Sequence, residues 1–278
     1  MSAINTISTD KLVRLIGTPK CPVIIDVRPD SETRKLLIPA SLRRDPDCAP
    51  EWAPAFVGQS AIVICETGLN EAAGVAAWLR AAGVHADVLE GGAQAWRAAK
   101  LSLVPEDRLP KRDSHGRTIW VTRARPKVDR IACPWLIRRF VDPRAVFLYV
   151  APNEVMRTAE QFGGAPFDIE GDNVFWSHRG EGCTFDVMVE GLGLESFDAL
   201  KRLAVIVRGA DTGQPHLVPE ASGLLAASLG LSRMFADDLE QLDAGMLLFD
   251  SFYRWCRDAT DETHNWTSHK PSRAKAKA

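Results

Sequence analysis

The run Ala61-Ile62-Val63-Ile64 is short, apolar and largely β-branched; it stops at Cys65 and passes through the glycine-containing stretch Glu66-Thr67-Gly68-Leu69-Asn70 into an alanine-rich segment over 71–80. Strand, tight loop and helix in that order put a thiol where a strand ends and a helix begins. Backbone N–H donors and the positive helix end favour thiolate there and can solvate an anionic persulfide. The neighbouring pattern predicts a helix over 9–16, strands over 23–27 and 61–65, a helix over 69–82, a strand over 84–89 and a helix over 93–99. Alternation of that kind predicts a parallel-sheet α/β unit with its ligands at the carboxyl ends of the strands.

Further segments extend this local reading. Val23-Ile24-Ile25-Asp26-Val27-Arg28 resembles the strand and Asp-x-Arg signature of rhodanese-type sulfurtransferases, Leu37-Ile38-Pro39-Ala40-Ser41 their His-Ile-Pro-Gly-Ala segment, and Gly91-Gly92-Ala93-Gln94-Ala95-Trp96 their closing Gly-Gly-x-x-x-Trp motif. The resemblance implies a rhodanese-like fold, Cys65 as the nucleophile that holds sulfane sulfur, and a donor site built from Glu66, Thr67, Gly68, Leu69, Asn70 and Arg28. Sulfur transfer of this kind requires no cofactor; its partners are a small sulfur donor and a thiophilic acceptor. The family loop reads Cys-x-x-Gly-x-Arg-Ser, whereas Asn70 and Glu71 stand in place of the Arg and Ser. Glu66 and Glu71 would oppose thiolate formation if their charges faced the sulfur.

At 278 residues the chain is long enough for two domains, and a net charge of −2 offers no global attraction to nucleic acid or membrane. The expected division is 1–105, a linker over 106–117 rich in proline and charge, a second mixed α/β, helix-rich domain over 118–260, and a disordered tail over 261–278. No stretch approaches the roughly 18 apolar residues of a membrane span and the first residues lack a basic, apolar leader pattern, so the chain reads as cytoplasmic with free thiols. A homo-oligomer is compatible with the apolar stripe along 237–258.

In the second half a strand is expected over 118–122. Pro134 reads as a first helical residue with Cys133 as its cap. Seven basic residues against two acidic ones lie between Arg123 and Arg144, which makes Arg123, Arg130 and Cys133 the candidates for holding a small oxyanion at a helix N-terminus. His178 and Cys183, five apart around a turn, are a candidate N/S pair for a metal ion, to be completed by Asp168, Asp186 or Cys133; the bland alternative is a surface histidine and a buried cysteine. Arg208, Asp211 and His216 are expected on a loop between two helices, lining a pocket, unless Arg208 and Asp211 pair with each other. Nucleic acid is not expected as a partner, since no helix-turn-helix, zinc-finger or coiled-coil signature accompanies the basic window.

The segments Val128-Asp129-Arg130-Ile131-Ala132-Cys133-Pro134-Trp135, Pro166-Phe167-Asp168, His178 with Cys183-Thr184-Phe185, and Ile206-Val207-Arg208-Gly209-Ala210-Asp211 resemble the C-terminal domain of the chromate-resistance ChrB family. Two readings of different class follow. The first is an enzyme in which Cys65 forms a persulfide and passes its sulfur on, linked to chromate resistance through the second domain. The second is an oxyanion- or metal-sensing protein whose rhodanese part is catalytically weak.

Overall fold

The computed structural model describes residues 5–29, 35–69, 71–171 and 174–263; Asn70 and the tail expected beyond Thr263 lie outside them. The first half forms a parallel sheet from β1 (Thr6–Ile7), β2 (Val23–Asp26), β4 (Ser41–Arg43), β5 (Ser60–Ile64) and β6 (His85–Leu89), in the order β1-β6-β5-β2-β4. Helices α1 (Thr9–Leu15), α2 (Ala49–Trp52), α3 (Glu71–Ala81) and α4 (Gly92–Ala98) accompany it, and β3 (Leu36–Leu37) pairs antiparallel with β7 (Val104–Pro105). Successive side chains of a strand point to opposite faces. Ala61, Val63 and Cys65 therefore join one core with Ala72, Val75 and Leu79 of α3, while Ile62 and Ile64 join the other.

The second half carries a smaller parallel sheet, β10 (Ala165–Pro166), β8 (Ile119–Arg123) and β9 (Val146–Val150) in that order, with α5 (Asp129–Phe140), α6 (Val155–Phe162), α7 (Thr184–Gly191), α8 (Asp198–Asp211), α9 (Pro219–Met234) and α10 (Asp238–Asp258). A mixed, helix-rich second domain behind a parallel-sheet first one is therefore borne out. One core cluster crosses the boundary, running from Leu12, Ile16 and Trp96 to Trp135, Phe140 and Phe249. The Ala40 N–H donates to the Phe140 carbonyl at 2.6 Å, and Ser102 and Ser196 exchange backbone-to-hydroxyl bonds at 2.9 and 3.1 Å. Within 106–117, Glu106 pairs with Arg43 at 3.0 Å and Arg112 with Asp142 at 3.1 Å, so this stretch lies against both halves.

The expected helix start at Pro134 is corrected: α5 begins at Asp129 and Pro134 lies inside it. A proline there removes the donor for the carbonyl four residues back, that of Arg130. Tyr149 on β9 supplies the missing donor, its hydroxyl bonding the Arg130 carbonyl at 2.9 Å. Tyr149→Phe should therefore cost about 2 kcal/mol, because a carbonyl already deprived of its helical partner loses its substitute. Urea unfolding of the full chain measures this, and an unchanged midpoint would show that water replaces the hydroxyl.

Candidate functional site

Cys65 follows β5, the central strand of the first sheet, and is 2% exposed. Its Sγ accepts the Gly68 N–H at 3.2 Å and donates to the Leu69 carbonyl at 3.1 Å, so the loop closes around the sulfur. Gly68 makes this turn at φ +74. The loop rests on the start of α4, where Ala93 N–H donates to the Cys65 carbonyl and Gln94 N–H to the Glu66 carbonyl, both at 3.0 Å. Gly92, at φ +57, has no room for a side chain: a Cβ would stand 2.4 Å from the Cys65 oxygen and 2.6 Å from the Gly68 nitrogen. Gly91 and Gly92, the cap and first residue of α4, thus form the floor under the cysteine loop.

The Glu66 carboxylate is engaged by Arg97 of α4, which offsets the negative charge expected to burden the thiol. Thr67 and Leu69 are exposed on the loop. Arg28, expected to bind donor, is buried; its guanidinium holds Asp26 through bonds of 2.8 to 3.2 Å and the Leu36 carbonyl at 2.8 Å. That makes it a brace for the segment after β2, because a buried arginine needs its paired carboxylate. Beside it lies an open depression bordered by Asp45, Asp47, Glu71 and Trp78, an acidic surface for its size.

In the second half the residues grouped as an oxyanion site are either buried or committed to a carboxylate. Cys133 is fully buried in mid-helix, where burial first, and Asp129 next, pushes its thiol well above the ordinary value. Such a thiol is inert rather than redox-active. Arg123 and Arg130 are turned onto a carboxylate, both meeting Asp168 Oδ2, at 3.4 and 3.2 Å, and Arg130 also donates to the carbonyls of Arg123 and Ala124. Arg138 and Arg139 are likewise occupied, with Asp243 and Asp250 of α10.

His178 and Cys183 do not form a ligand pair. Cys183 caps α7, where its Sγ meets Asp186 Oδ2 at 3.3 Å, and burial pushes the thiol far up. Arg208 and Asp211, expected together on a loop, both lie on α8: Arg208 holds Asp186 through bonds of 3.1 and 3.2 Å, and Asp211 meets the Asp129 N–H and His178. His178 faces carboxylates instead, its Nε2 lying 3.2 Å from Asp211, 3.3 Å from Asp168 and 3.6 Å from Asp129. Asp129 opens α5, Asp168 directly follows the Phe167 that extends β10, and Asp211 ends α8. The cluster therefore sits at the carboxyl edge of the small parallel sheet, where open α/β sheets place ligands. Burial, then Asp211 and Asp168, hold the Asp129 carboxyl well above the carboxylate range. Hydrogen bonds to Asp168 and Asp211 push His178 up to about 10. For Asp168, burial opposes ionisation, but His178, Arg130 and Thr184 together outweigh it and hold the carboxyl low. Asp129, Asp168 and His178 are the described residues able to offer a metal ion three ligand atoms within one small volume.

Comparison with known proteins agrees with this two-part architecture. Residues 120–256 match the family model for the ChrB C-terminal domain, and residues 8–99 match that for the rhodanese-like domain. Protein ChrB of Cupriavidus metallidurans is 36% identical over 148 residues, which cover 52% of this chain and 43% of that protein. The match therefore spans less than half of the relative's length. Among solved structures, a rhodanese-like domain protein from Staphylococcus aureus is 32% identical, covering 34% of this chain and 91% of its own at a TM-score of 0.31. A thiosulfate sulfurtransferase from Pseudomonas aeruginosa is 24% identical, covering 36% of this chain and 19% of its own at a TM-score of 0.32. No helix among the described residues is long and apolar enough to cross a membrane.

Proposed function

The chain joins a rhodanese-like domain to a ChrB C-terminal domain, and on that premise we propose that it is a sulfurtransferase that carries sulfane sulfur on Cys65 in the service of chromate resistance. The reading rests on one observation, a cysteine at the carboxyl end of the central strand with its sulfur enclosed by its own loop and receiving a backbone N–H at 3.2 Å. An N–H aimed at the sulfur stabilises negative charge on thiolate and persulfide alike. The Cys65 thiolate attacks the outer sulfur of the donor; with thiosulfate the S–S bond breaks, sulfite leaves with the electron pair, and Cys65 becomes a persulfide. An acceptor nucleophile then takes the terminal sulfur and returns the thiolate. No net oxidation occurs, and no cofactor is needed. The persulfide of a small thiol can serve as donor by the same step. Steady-state sulfur transfer to cyanide from thiosulfate and from such a persulfide tests the proposal: turnover is expected with at least one donor. Turnover with neither would refute it.

A second reading, oxyanion binding, is favoured by a cavity between the two halves. It has a volume of about 310 Å³ and is lined by Arg44, Arg112, Arg138, Arg139, Arg144 and Cys21. Arg112, Arg138 and Arg139 have carboxylate partners, whereas the described side-chain bonds of Arg44 and Arg144 go to backbone carbonyls of Arg43 and His115. Burial first, then Arg144 and Arg112, lower the pKa of Arg44; the two neighbouring cations add a repulsion that an anion would relieve. Sulfate, phosphate or molybdate should raise the thermal midpoint of the full chain, and the double variant R44Q/R144Q should lose that rise. An equal rise in the variant would remove this reading.

A further inference from the structure

The four groups that meet at the carboxyl edge of the second sheet are more than an ion-pair cluster. We infer that Asp129, Asp168 and His178 form a binding site for one divalent first-row metal ion, with Asp211 beside the imidazole.

Three acceptor oxygens crowd a single imidazole nitrogen. The Nε2 of His178 carries at most one hydrogen, yet carboxylate oxygens of three residues lie 3.2, 3.3 and 3.6 Å from it. One N–H cannot serve all three. Ligand atoms about 2.1 Å from a metal ion stand about 3.0–3.4 Å apart at octahedral and tetrahedral angles, which is close to the distances of Asp168 and Asp129 from His178. An ion placed among the atoms of Asp129, Asp168 and His178 would have all three within reach.

A second, independent observation concerns Asp129. The residue is 1% exposed, and its Oδ1 is buried with no hydrogen-bond partner, although Oδ2 receives the Phe185 N–H at 3.3 Å. A buried carboxylate oxygen left without a donor costs on the order of 1–3 kcal/mol or more, and such an oxygen in a native site calls for an ion or a water. Its partner oxygen faces His178, so the carboxyl points into the cluster. Arg130 and Arg123 hold only Asp168 Oδ2, while Thr184 donates to Oδ1 at 3.0 Å. These contacts orient Asp168 in the way outer groups orient metal ligands.

The donor set specifies the ion class. Carboxylate oxygens with one imidazole suit Mn²⁺, Fe²⁺ or Zn²⁺; without thiolate they do not select soft ions, and the imidazole does not suit Ca²⁺. Cys133 and Cys183 are nearby, the thiol of Cys183 being bonded to Asp186 and set against the Asp129 carboxyl; the ligand atoms grouped together are the two carboxylates and the imidazole. His178 is 44% exposed, so the ion would keep an open side toward solvent.

The test uses the full chain, stripped with a chelator and titrated with Mn²⁺ while free Mn²⁺ is followed by electron paramagnetic resonance, with Zn²⁺ as a competitor. One Mn²⁺ per chain is expected to bind, raise the thermal midpoint and be displaced by Zn²⁺. His178→Gln, a change at the half-exposed rim that the fold should tolerate, is expected to weaken binding by more than about tenfold. Asp129→Asn should do the same if it folds; Cys183→Ser and Cys65→Ser should leave binding unchanged. Absence of stoichiometric binding, or undiminished binding in His178→Gln, would overturn the site. Neither result bears on sulfur transfer, which is measured without metal.

Discussion

Cys65→Ser is expected to lower sulfur transfer at least about a thousandfold while the protein remains folded. A serine hydroxyl can keep the two contacts of the thiol, with the Gly68 N–H and the Leu69 carbonyl, so the loss in stability should stay near 1 kcal/mol. It cannot form a persulfide, because an alkoxide is not available near neutral pH and an oxygen–sulfur adduct would not pass sulfur on. Parallel measurement of turnover and of the urea midpoint separates the two effects. Turnover equal to that of the parent chain would move the nucleophile away from Cys65.

The second large effect is expected at a residue that touches no substrate. Gly92→Ala would thrust a Cβ to within 2.7 Å of three backbone atoms, the carbonyl oxygens of Cys65 and Glu66 and the Gly68 nitrogen, at a φ of +57 that alanine adopts only with strain. Backbone atoms cannot swing aside as side-chain tips do. The loop must move away from α4, and a displacement of about 1 Å at the sulfur corresponds to roughly a hundredfold loss in rate. Gly83→Ala is the matching control, since its φ is +88 but nothing lies within 4 Å of the added Cβ. It should cost about 1–2 kcal/mol of stability and leave turnover unchanged. Equal effects on turnover from both variants would mean that the floor beneath Cys65 has no role in placing it.

The first half was legible in the sequence because its signals are local. The apolar run 61–64 ending at Cys65, ahead of a glycine-containing loop and a helix, put the thiol at a strand end, and the closing glycine motif was recognisable without knowledge of what it touches. The second half was less so. Pro134 pointed to a helix start because the rule that places proline in the first turn holds when nothing else supplies the lost donor; here Tyr149 does, from a strand whose pairing cannot be read from α5. The same error moved Cys133 from mid-helix to a cap and made Arg123 and Arg130 look available to an anion. Asp129 and Asp211, 82 positions apart, meet through a bond from the Asp129 N–H, and no spacing rule announces such a meeting. Yet each segment that carries the resemblance to the ChrB domain delivers one member of the cluster, Asp129, Asp168, His178 or Asp211, which was a signal available before any fold was known.

The central claim, that Cys65 accepts sulfur, is tested most directly by intact-mass spectrometry of the reduced full chain after incubation with thiosulfate and, separately, with the persulfide of a small thiol. A gain of one sulfur atom, reversed by cyanide, located to the peptide containing Cys65 and missing in Cys65→Ser, is the predicted result. No gain with either donor, or a gain that persists in Cys65→Ser, would contradict it.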